Sequence, residues 1–308
     1  MSSKQTDGTN EGLTETVFPG ERPFVLTRSS FPGTGQYVAH WLGDNKSAWE
    51  DLKASIIGIV EFTFYGISMI GADVCGFNGE SNEELCARWM QLGAFYPLDR
   101  NHNTMGAGDQ DPARPDWPSV IQASKDALTI RYKYLPFLYT SLHRAHMFGN
   151  SAIRPVFSVF PSDLNARGID DQFFWSDKLL VAPVVDQGAT SRDVYFPDSL
   201  WYDLLDGTLA AEGPTTLTVD APIETIPLYV KGGSVLPYQS PSLTTVESRS
   251  NPFGLTIALD SNNFADGELY WDDGHTEHTM DESYLGTFTY NQGNLTLASS
   301  ITKILLVI

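Results

Sequence analysis

Basic residues, long apolar runs and cysteines are all scarce in this chain of 308 residues. Lys and Arg number only 19 against 38 Asp and Glu, so the formal charge is −19. A surface this acidic repels phosphate backbones and anionic lipid, which argues against nucleic acids and membrane surfaces as partners. No run approaches the ~20 apolar residues that a membrane span needs. The polar start of the chain, MSSKQTDGTNEGLTETV, contains no signal-peptide core.

The two cysteines, Cys75 and Cys86, lie close together in the loop-like stretch DVCGFNGESNEELC. They could be two buried thiols or a local disulfide, and a disulfide would indicate an oxidising compartment. Two cysteines without a neighbouring histidine make a poor zinc site. His143 and His146, on one predicted helix, are better explained by a satisfied helix face than by a metal pair. We therefore expect no metal and no other cofactor.

The chain changes character along its length, and this predicts its domains. Hydrophobic residues make up 42% of the sequence, enough for a sizeable core, and the length suits about two domains. Residues 1–20 have the composition of a polar tail. In residues 21–150, short apolar runs alternate with helical patterns, as in βα units. The following residues are all-β, as in sandwiches, and we expect one such domain over 151–245 and the truncated start of a second over 246–308.

One predicted helix has a recognisable start. The segment SNEELCARWMQLGAF is expected to open with a capping box from Ser81 to Glu84. In that motif the serine and glutamate side chains each bind a main-chain amide of the first turn.

Polar residues follow several of the apolar, strand-like runs in the first region. In a (β/α)8 barrel such strand ends converge on the face where active sites lie. A carboxylate, a guanidinium and an imidazole there would form a polar pocket, and a neighbouring tryptophan would supply an aromatic wall. The polar residues concerned are Arg28, Asp44, Asp73 and His102.

The carboxyl group of Asp44 follows aromatic and aliphatic bulk in the segment HWLGDN. Trp41 and Leu42 could lower the local polarity and keep Asp44 protonated near neutral pH, so that it can donate a proton. Glycosidic cleavage needs such an acid because the leaving alkoxide is poor until it is protonated. The alternative is a plain turn, since Gly, Asp and Asn are turn formers.

Three long segments resemble, in their order, glycoside hydrolase family 31, the α-glucosidase family: RPFVLTRSSFPGTGQYVAHWLGDN, GADVCGFNGESNEELCARWMQLGAFYPLDRNHN and IPLYVKGGSVLP. The resemblance runs from about Arg22 to Asp273. It implies an α/β plus all-β fold, in which a (β/α)8 TIM barrel is followed by β-sandwich domains. The cysteine pair and the segment RNHN are similar to the maltase, glucoamylase and acid α-glucosidase branch, which implies a secreted, lysosomal or cell-surface location.

The resemblance also implies roles for individual residues. Asp44 matches the general acid/base of the family. The other matches surround the −1 subsite. Arg28 and His102 match residues that hold hydroxyls of the sugar. Asp73 matches a carboxylate beside the subsite, and Trp41 and Phe77 match its aromatic walls. The family disulfide links the positions that Cys75 and Cys86 occupy.

One motif expected from the resemblance is missing. A retaining enzyme needs a second carboxylate as nucleophile, ~5–5.5 Å from the acid. In this family it lies in a Trp-Ile-Asp-Met-Asn-Glu-like motif, which this chain does not contain. Residues 21–150 therefore match the C-terminal half of the barrel. We expect a processed subunit or an incomplete gene product that is inactive alone and pairs with the N-terminal half of the same enzyme.

These observations predict a retaining α-glucosidase that releases terminal α-linked glucose from maltose- or starch-type oligosaccharides. A non-catalytic carbohydrate-binding or vestigial fragment is the alternative. Sister activities of the family (xylosidase, glucan lyase, transglucosylase) also fit the motifs. In a secreted chain, Asn294 of the tripeptide NLT is the expected glycosylation site, whereas Asn45 of NKS matches the motif but lies within the candidate site.

Overall fold

The computed structural model describes residues 2–277 and 282–301. Its helices are α1 (Ser2–Gly12), α2 (Trp49–Phe64), α3 (Glu83–Gly93), α4 (Pro118–Phe148), α5 (Val156–Val159) and α6 (Thr245–Ser248). A π-helical turn at Leu13–Val17 continues α1, so residues 2–17 are helical. Within the described ranges, no helix is long and apolar enough to cross a bilayer.

Parallel strands in the first half of the chain confirm the barrel-type fold. The strands there are β1 (Leu26–Thr27), β2 (Ala39–Trp41), β3 (Ile70–Gly71), β4 (Asp73–Val74) and β5 (Arg100–Asn101). β1, β2 and β3 form one parallel sheet in that order, and β4 pairs in parallel with β5. α2 connects β2 to β3 and α3 connects β4 to β5, because parallel neighbours need crossover connections. β1 and β3 are the edge strands of this sheet as described.

Helix α3 starts one residue later than its sequence motif suggested. Its N-cap is Asn82, whose side chain accepts a hydrogen bond from the amide of Leu85. The predicted capping box from Ser81 to Glu84 is therefore wrong, and the hydroxyl of Ser81 is buried without a hydrogen-bond partner. Asparagine and serine are comparable N-cap residues, so the sequence alone did not distinguish Ser81 from Asn82.

The rest of the chain is antiparallel β structure, which confirms the predicted change of class. Its strands are β6 (Ile153–Pro155), β7 (Phe173–Trp175), β8 (Leu179–Val181), β9 (Ser191–Phe196), β10 (Leu200–Asp203), β11 (Leu209–Glu212), β12 (Thr215–Asp220), β13 (Leu228–Lys231), β14 (Ser234–Gln239), β15 (Phe253–Ala258), β16 (Phe264–Trp271), β17 (Tyr284–Asn291) and β18 (Asn294–Ile301). They form a six-stranded sheet (β11-β10-β13-β8-β7-β6), a pair (β12-β9) and a five-stranded sheet (β15-β14-β16-β17-β18). Only the short β14–β16 contact is parallel among these described pairings.

The five-stranded sheet includes β14, which precedes residue 246. The division of the chain into domains at 20, 150 and 245 remains a prediction. The apolar end of the chain, residues 302–308, lies outside the described residues.

The barrel helices and the six-stranded sheet share one hydrophobic core. This core joins residues of α2, α3 and α4 to residues of β7, β8 and β13. Trp175 of β7 is fully buried, and its indole N–H donates to the carbonyl of Phe95, just after α3, at 2.6 Å. Such a bond satisfies the one polar atom of a buried tryptophan. The β region therefore supports the helices that surround the candidate site.

Candidate active site

The carboxyl ends of the parallel strands bring the predicted site residues to one face of the molecule. Arg28 follows β1, Asp44 follows β2, Asp73 lies in β4 and His102 follows β5. This is the face on which barrel enzymes carry their catalytic groups. The contacts below show which of these side chains meet.

Arg28 and Asp44 contact each other directly. Nη1 of Arg28 lies 3.2 Å from Oδ2 of Asp44, and the two side chains are 58% and 40% exposed. Gly43, with φ of +84°, lies beneath the guanidinium, and a Cβ at this position would come within 3.2 Å of it. Glycine therefore serves both the turn conformation and the close approach of Arg28.

The expected apolar surroundings of Asp44 are not what the structure shows. The side chain of Leu42 points away and packs against Gly58 of α2. His40, two residues earlier, also lies on that side, with its ring 4.4 Å from the ring of Phe62. The prediction that Leu42 shields Asp44 is therefore wrong, because Leu42 packs against α2 and the side chain of Asp44 is 40% exposed beside Arg28.

Two asparagines hold the loops around Asp44: Asn45, which sequence analysis placed within the candidate site without a role, and Asn78, which it did not single out. The amide group of Asn45 donates to the carbonyl of Asp73 at 3.0 Å, and its oxygen accepts from the amide of Phe77 at 3.1 Å. The side chain of Asn78 donates to the carbonyl of Asp44 at 3.0 Å. An asparagine side chain suits this task because it carries both a donor and an acceptor. The loops after β2 and β4 are thus fastened together.

Asp73 is a buried carboxylate that pairs with Arg100, another residue that sequence analysis missed. Only 1% of the Asp73 side chain is exposed, and Oδ1 accepts a hydrogen bond from Nη2 of Arg100. Oδ2 is buried without a hydrogen-bond partner. Burial raises the pKa of Asp73, the charges of Arg100 and His102 oppose that rise, and the charge of Asp44 adds to it. The four groups are therefore close enough to influence one another.

Aromatic rings surround these charges. The guanidinium of Arg100 lies over the ring of Trp41, 5.0 Å from its centroid. The ring of Phe77 lies 5.2 Å from that of His102. Trp41 and Phe77 are half-buried, and His102 is exposed. The arrangement can present aromatic faces and hydrogen-bonding groups to one polar ligand such as a sugar ring.

Cys75 and Cys86 form a disulfide, as predicted, and both are buried. The bond ties the start of the loop that carries Phe77 to helix α3. Gly76 in this loop has φ of +89°, and a Cβ there would overlap the backbone of Ser47. The disulfide and the glycine together allow the loop to lie tightly against the segment that follows Asp44.

Other predicted or possible sites lie elsewhere. Asn294 is exposed at the turn between β17 and β18. Two cavities of about 380 and 420 Å³ border α4, and neither is lined by the candidate site residues. No group of three or more His, Cys, Asp or Glu in the described residues is placed to hold a metal ion.

Comparisons with known proteins agree with this arrangement. The family model "Glycosyl hydrolases family 31 TIM-barrel domain" matches residues 1–141, and "Glycosyl hydrolase family 31 C-terminal domain" matches residues 149–236. Human intestinal sucrase-isomaltase is 46% identical over 288 residues, which cover 93% of this chain and 16% of that protein. Mouse lysosomal alpha-glucosidase is 40% identical over 319 residues, covering 95% of this chain and 33% of that protein.

Two solved structures have nearly the same backbone fold as this chain. The glucosidase II alpha subunit, bound to alpha3-Glc2, superposes with a TM-score of 0.91 at 34% identity, covering 98% of this chain and 33% of that one. A dextranase of Flavobacterium johnsoniae superposes with a TM-score of 0.90 at 27% identity, covering 98% of this chain and 39% of that one.

The chain spans about a sixth of the length of the intestinal relative and about a third of the lysosomal one. Both family models nevertheless match it in chain order, and the strand-end residues converge as the barrel requires. The chain therefore belongs to glycoside hydrolase family 31.

Proposed function

We propose that the chain supplies the acid/base half of a retaining α-glucosidase site. The observation that carries this proposal is the convergence of Asp44 with Arg28 at the strand ends, beside Asp73 and the aromatic rings of Trp41 and Phe77. Similarity to a protein named sucrase-isomaltase and to one named lysosomal alpha-glucosidase supports terminal α-linked glucose as the sugar that is released.

In this proposal Asp44 transfers a proton to the glycosidic oxygen as the bond to the anomeric carbon breaks. The leaving sugar departs as a neutral alcohol, and the anomeric carbon is captured by a second carboxylate to form a covalent glycosyl ester. Asp44, now a carboxylate, then accepts a proton from water as that water attacks the anomeric carbon and releases the second carboxylate. Arg28, which pairs with Asp44, and His102, which lies against Phe77, are both exposed and can bind hydroxyls of the sugar.

The second carboxylate has to be ionised, exposed to the sugar and opposite Asp44. Asp73 fits this role poorly because it is fully buried and bound to Arg100. We therefore infer that the nucleophile comes from the other half of the barrel, either in a longer polypeptide or in a separate chain. The described structure supports such a partner, since β1 has an unpaired edge and Phe24 and Phe31 nearby are each 66% exposed. Parallel sheets are normally covered on both faces, and unpaired edges invite pairing.

We further infer an oxidising compartment such as the lysosome, the cell surface or the exterior. The buried Cys75–Cys86 disulfide supports this, because such bonds persist where thiols are not kept reduced. The names of the relatives, lysosomal and intestinal, point in the same direction. We propose no nucleic-acid partner, given the formal charge of −19.

A complementation assay tests the proposal. A polypeptide of these 308 residues should release no nitrophenolate from p-nitrophenyl α-glucoside, and adding a polypeptide with the N-terminal half of the barrel should restore release. The control is the same N-terminal half alone. Robust hydrolysis by the 308-residue polypeptide as a pure monomer would show that the nucleophile has been assigned to the wrong place. No hydrolysis from the assembled pair would favour the non-catalytic alternative.

A further inference from the structure

A polar stripe along helix α3 joins it to the β region. Glu84, Arg88 and Gln91 lie four and three residues apart, so they share one face of the helix. Only 1% of Arg88 and 1% of Gln91 is exposed. Polar side chains this deeply buried in a helix require hydrogen-bond partners, and here the partners all lie in two loops of the β region or within the stripe itself.

Arg88 makes most of these bonds. Its Nη1 donates to the carbonyls of Pro222 at 3.0 Å and Thr225 at 3.1 Å. Its Nη2 donates to the carbonyls of Ala189 at 2.9 Å and Ala221 at 2.7 Å. Four main-chain carbonyls, three from the loop 221–225 and one from the loop 188–189, thus converge on one guanidinium. A lysine cannot reproduce this arrangement, because its single ammonium lacks the planar fork of donors.

Glu84 and Gln91, the neighbours of Arg88 on the stripe, add two more hydrogen bonds between α3 and the β region. Oε1 of Glu84 accepts from the amide of Gly188 at 2.5 Å. Nε2 of Gln91 donates to the carbonyl of Ile223 at 2.8 Å. The loops 188–189 and 221–225 are therefore both fastened to α3.

The same helix is bound covalently to the candidate site. Cys86, between Glu84 and Arg88 in sequence, forms the disulfide with Cys75. The amide of Gly76 then donates to the carbonyl of Asp73, and the amides of Phe77 and Asn78 donate to the carbonyl of Asn45, which adjoins Asp44. A continuous chain of bonds runs from the β region through Arg88 to the segment 76–78, which is hydrogen-bonded to the backbone of Asp44 and Asn45.

We propose that Arg88 is a positioning residue for the active site: the β-region loops 188–189 and 221–225 hold α3 through it, and α3 holds the segment 76–78 against Asn45. The β region then helps to order the −1 subsite through α3, although none of the site residues named above lies in it. The inference rests on the proposed function for its kinetic consequence, but its structural consequence can be measured without any activity.

Hydrogen exchange provides that measurement. Arg88→Lys and Arg88→Gln should speed exchange of the amides of Gly76, Phe77 and Asn78 by about tenfold or more, while amides in the middle of α4 are much less affected. The matched control is Arg192, which lies on β9, has an 8% exposed side chain and also donates to main-chain carbonyls, those of Asp171, Pro183 and Asp193. It differs from Arg88 in also forming an ion pair, with the carboxylate of Asp171. Arg192→Lys should leave exchange at residues 76–78 unchanged.

Equal acceleration in the Arg88 and Arg192 variants, or none in either, would overturn the inference. If the Arg88 variants fail to fold, Gln91→Leu removes two bonds of the stripe, the one to the carbonyl of Ile223 and the one that its oxygen accepts from Nη1 of Arg88, and leaves the four carbonyl contacts of Arg88 in place. It should produce a smaller acceleration confined to the same three amides. No local change in that variant would also refute the proposal.

The kinetic test uses the assembled enzyme. Arg88→Lys should lower kcat/KM for maltose several-fold more than Arg192→Lys does at the same loss of thermal stability. Equal kinetic losses would mean that Arg88 acts on stability alone. If the assembled enzyme has no activity at all, the proposed function fails, whereas the exchange result still decides the inference about Arg88.

Discussion

Replacing Arg100 with methionine would remove the guanidinium that pairs with buried Asp73. Asp73 would keep its position in β4, because its carbonyl remains bonded to Asn45 and its strand remains paired with β5. Its carboxylate, 99% buried, would then face the interior without a cation. We expect the Arg100→Met variant to be strongly destabilised.

The size of the loss follows from two contacts. Removing one partner of a buried ion pair costs about 3–5 kcal/mol, since the other charge is left uncompensated. The contact of Arg100 with the ring of Trp41, at 5.0 Å, adds about 0.5–1 kcal/mol. Because 30% of the Arg100 side chain is exposed, solvent screens part of the pair, and we place the total near the lower end, about 3 kcal/mol.

The loss should depend on pH in a defined direction. Burial raises the pKa of Asp73 in the folded protein and Arg100 opposes that rise, so the variant should have a still higher pKa at this residue. A carboxyl group whose folded pKa lies above its unfolded value binds more protons when folded, so stability falls as pH rises through the folded pKa. Arg100→Met should therefore lose less stability at a pH of about 4.5 than at neutral pH.

Urea unfolding of matched variants at the two pH values checks this reasoning. Arg114 is the control, because it also pairs with an aspartate, Asp116, and lies over a tryptophan ring, but the side chain of Asp116 is 60% exposed whereas that of Asp73 is 1% exposed. Arg114→Met should change stability little at either pH. Adding Asp73→Asn to Arg100→Met should recover part of the loss, since no buried charge remains. An Arg100 variant as stable as the Arg114 variant, or one with the same loss at both pH values, would refute the argument.

Two further predictions concern covalent features. Replacing Cys75 and Cys86 by alanine should lower the free energy of unfolding by about 3 kcal/mol in the chain-entropy model, because the bond closes a loop with a sequence separation of 11. In urea unfolding the variant should match the reduced wild type and lie below the oxidised wild type; a midpoint equal to that of the oxidised wild type would contradict the prediction. When the chain is secreted from a eukaryotic host, peptide mass spectrometry should find a glycan on exposed Asn294 and none on Asn45, whose side chain is engaged with Asp73 and Phe77. A glycan on Asn45 would exclude that residue from the assembled site.

The strand-end residues could be predicted from the sequence because each follows an apolar run and lies in a long family motif. The disulfide was also predictable once the resemblance was recognised, since only two cysteines are present. Arg100 could have been found as well, because it begins the segment RNHN two residues before His102. Its partner could not, since Asp73 lies 27 residues earlier and the contact depends on the pairing of β4 with β5.

The surroundings of Asp44 show where reasoning from neighbours in sequence fails. Side chains alternate along extended backbone, so His40 and Leu42 both point towards α2, whereas Trp41 lies under Arg100 on the other side. Applying that alternation to HWLGDN would have separated Leu42 from the site. The roles of Asn45 and Asn78 were not predictable, because their bonds depend on how two loops pack.

The role of Asp44 as the proton donor is tested most directly by changing the leaving group. In the assembled enzyme, Asp44→Asn should lower kcat/KM for maltose by about 10²–10⁴-fold, since its alkoxide leaving group needs a proton. Cleavage of α-glucosyl fluoride should fall far less, because fluoride departs without that proton. Glu50→Gln, which changes an exposed carboxylate on the first turn of α2, should affect neither substrate. An equal loss on maltose and on the fluoride would contradict the assignment of Asp44 as the acid.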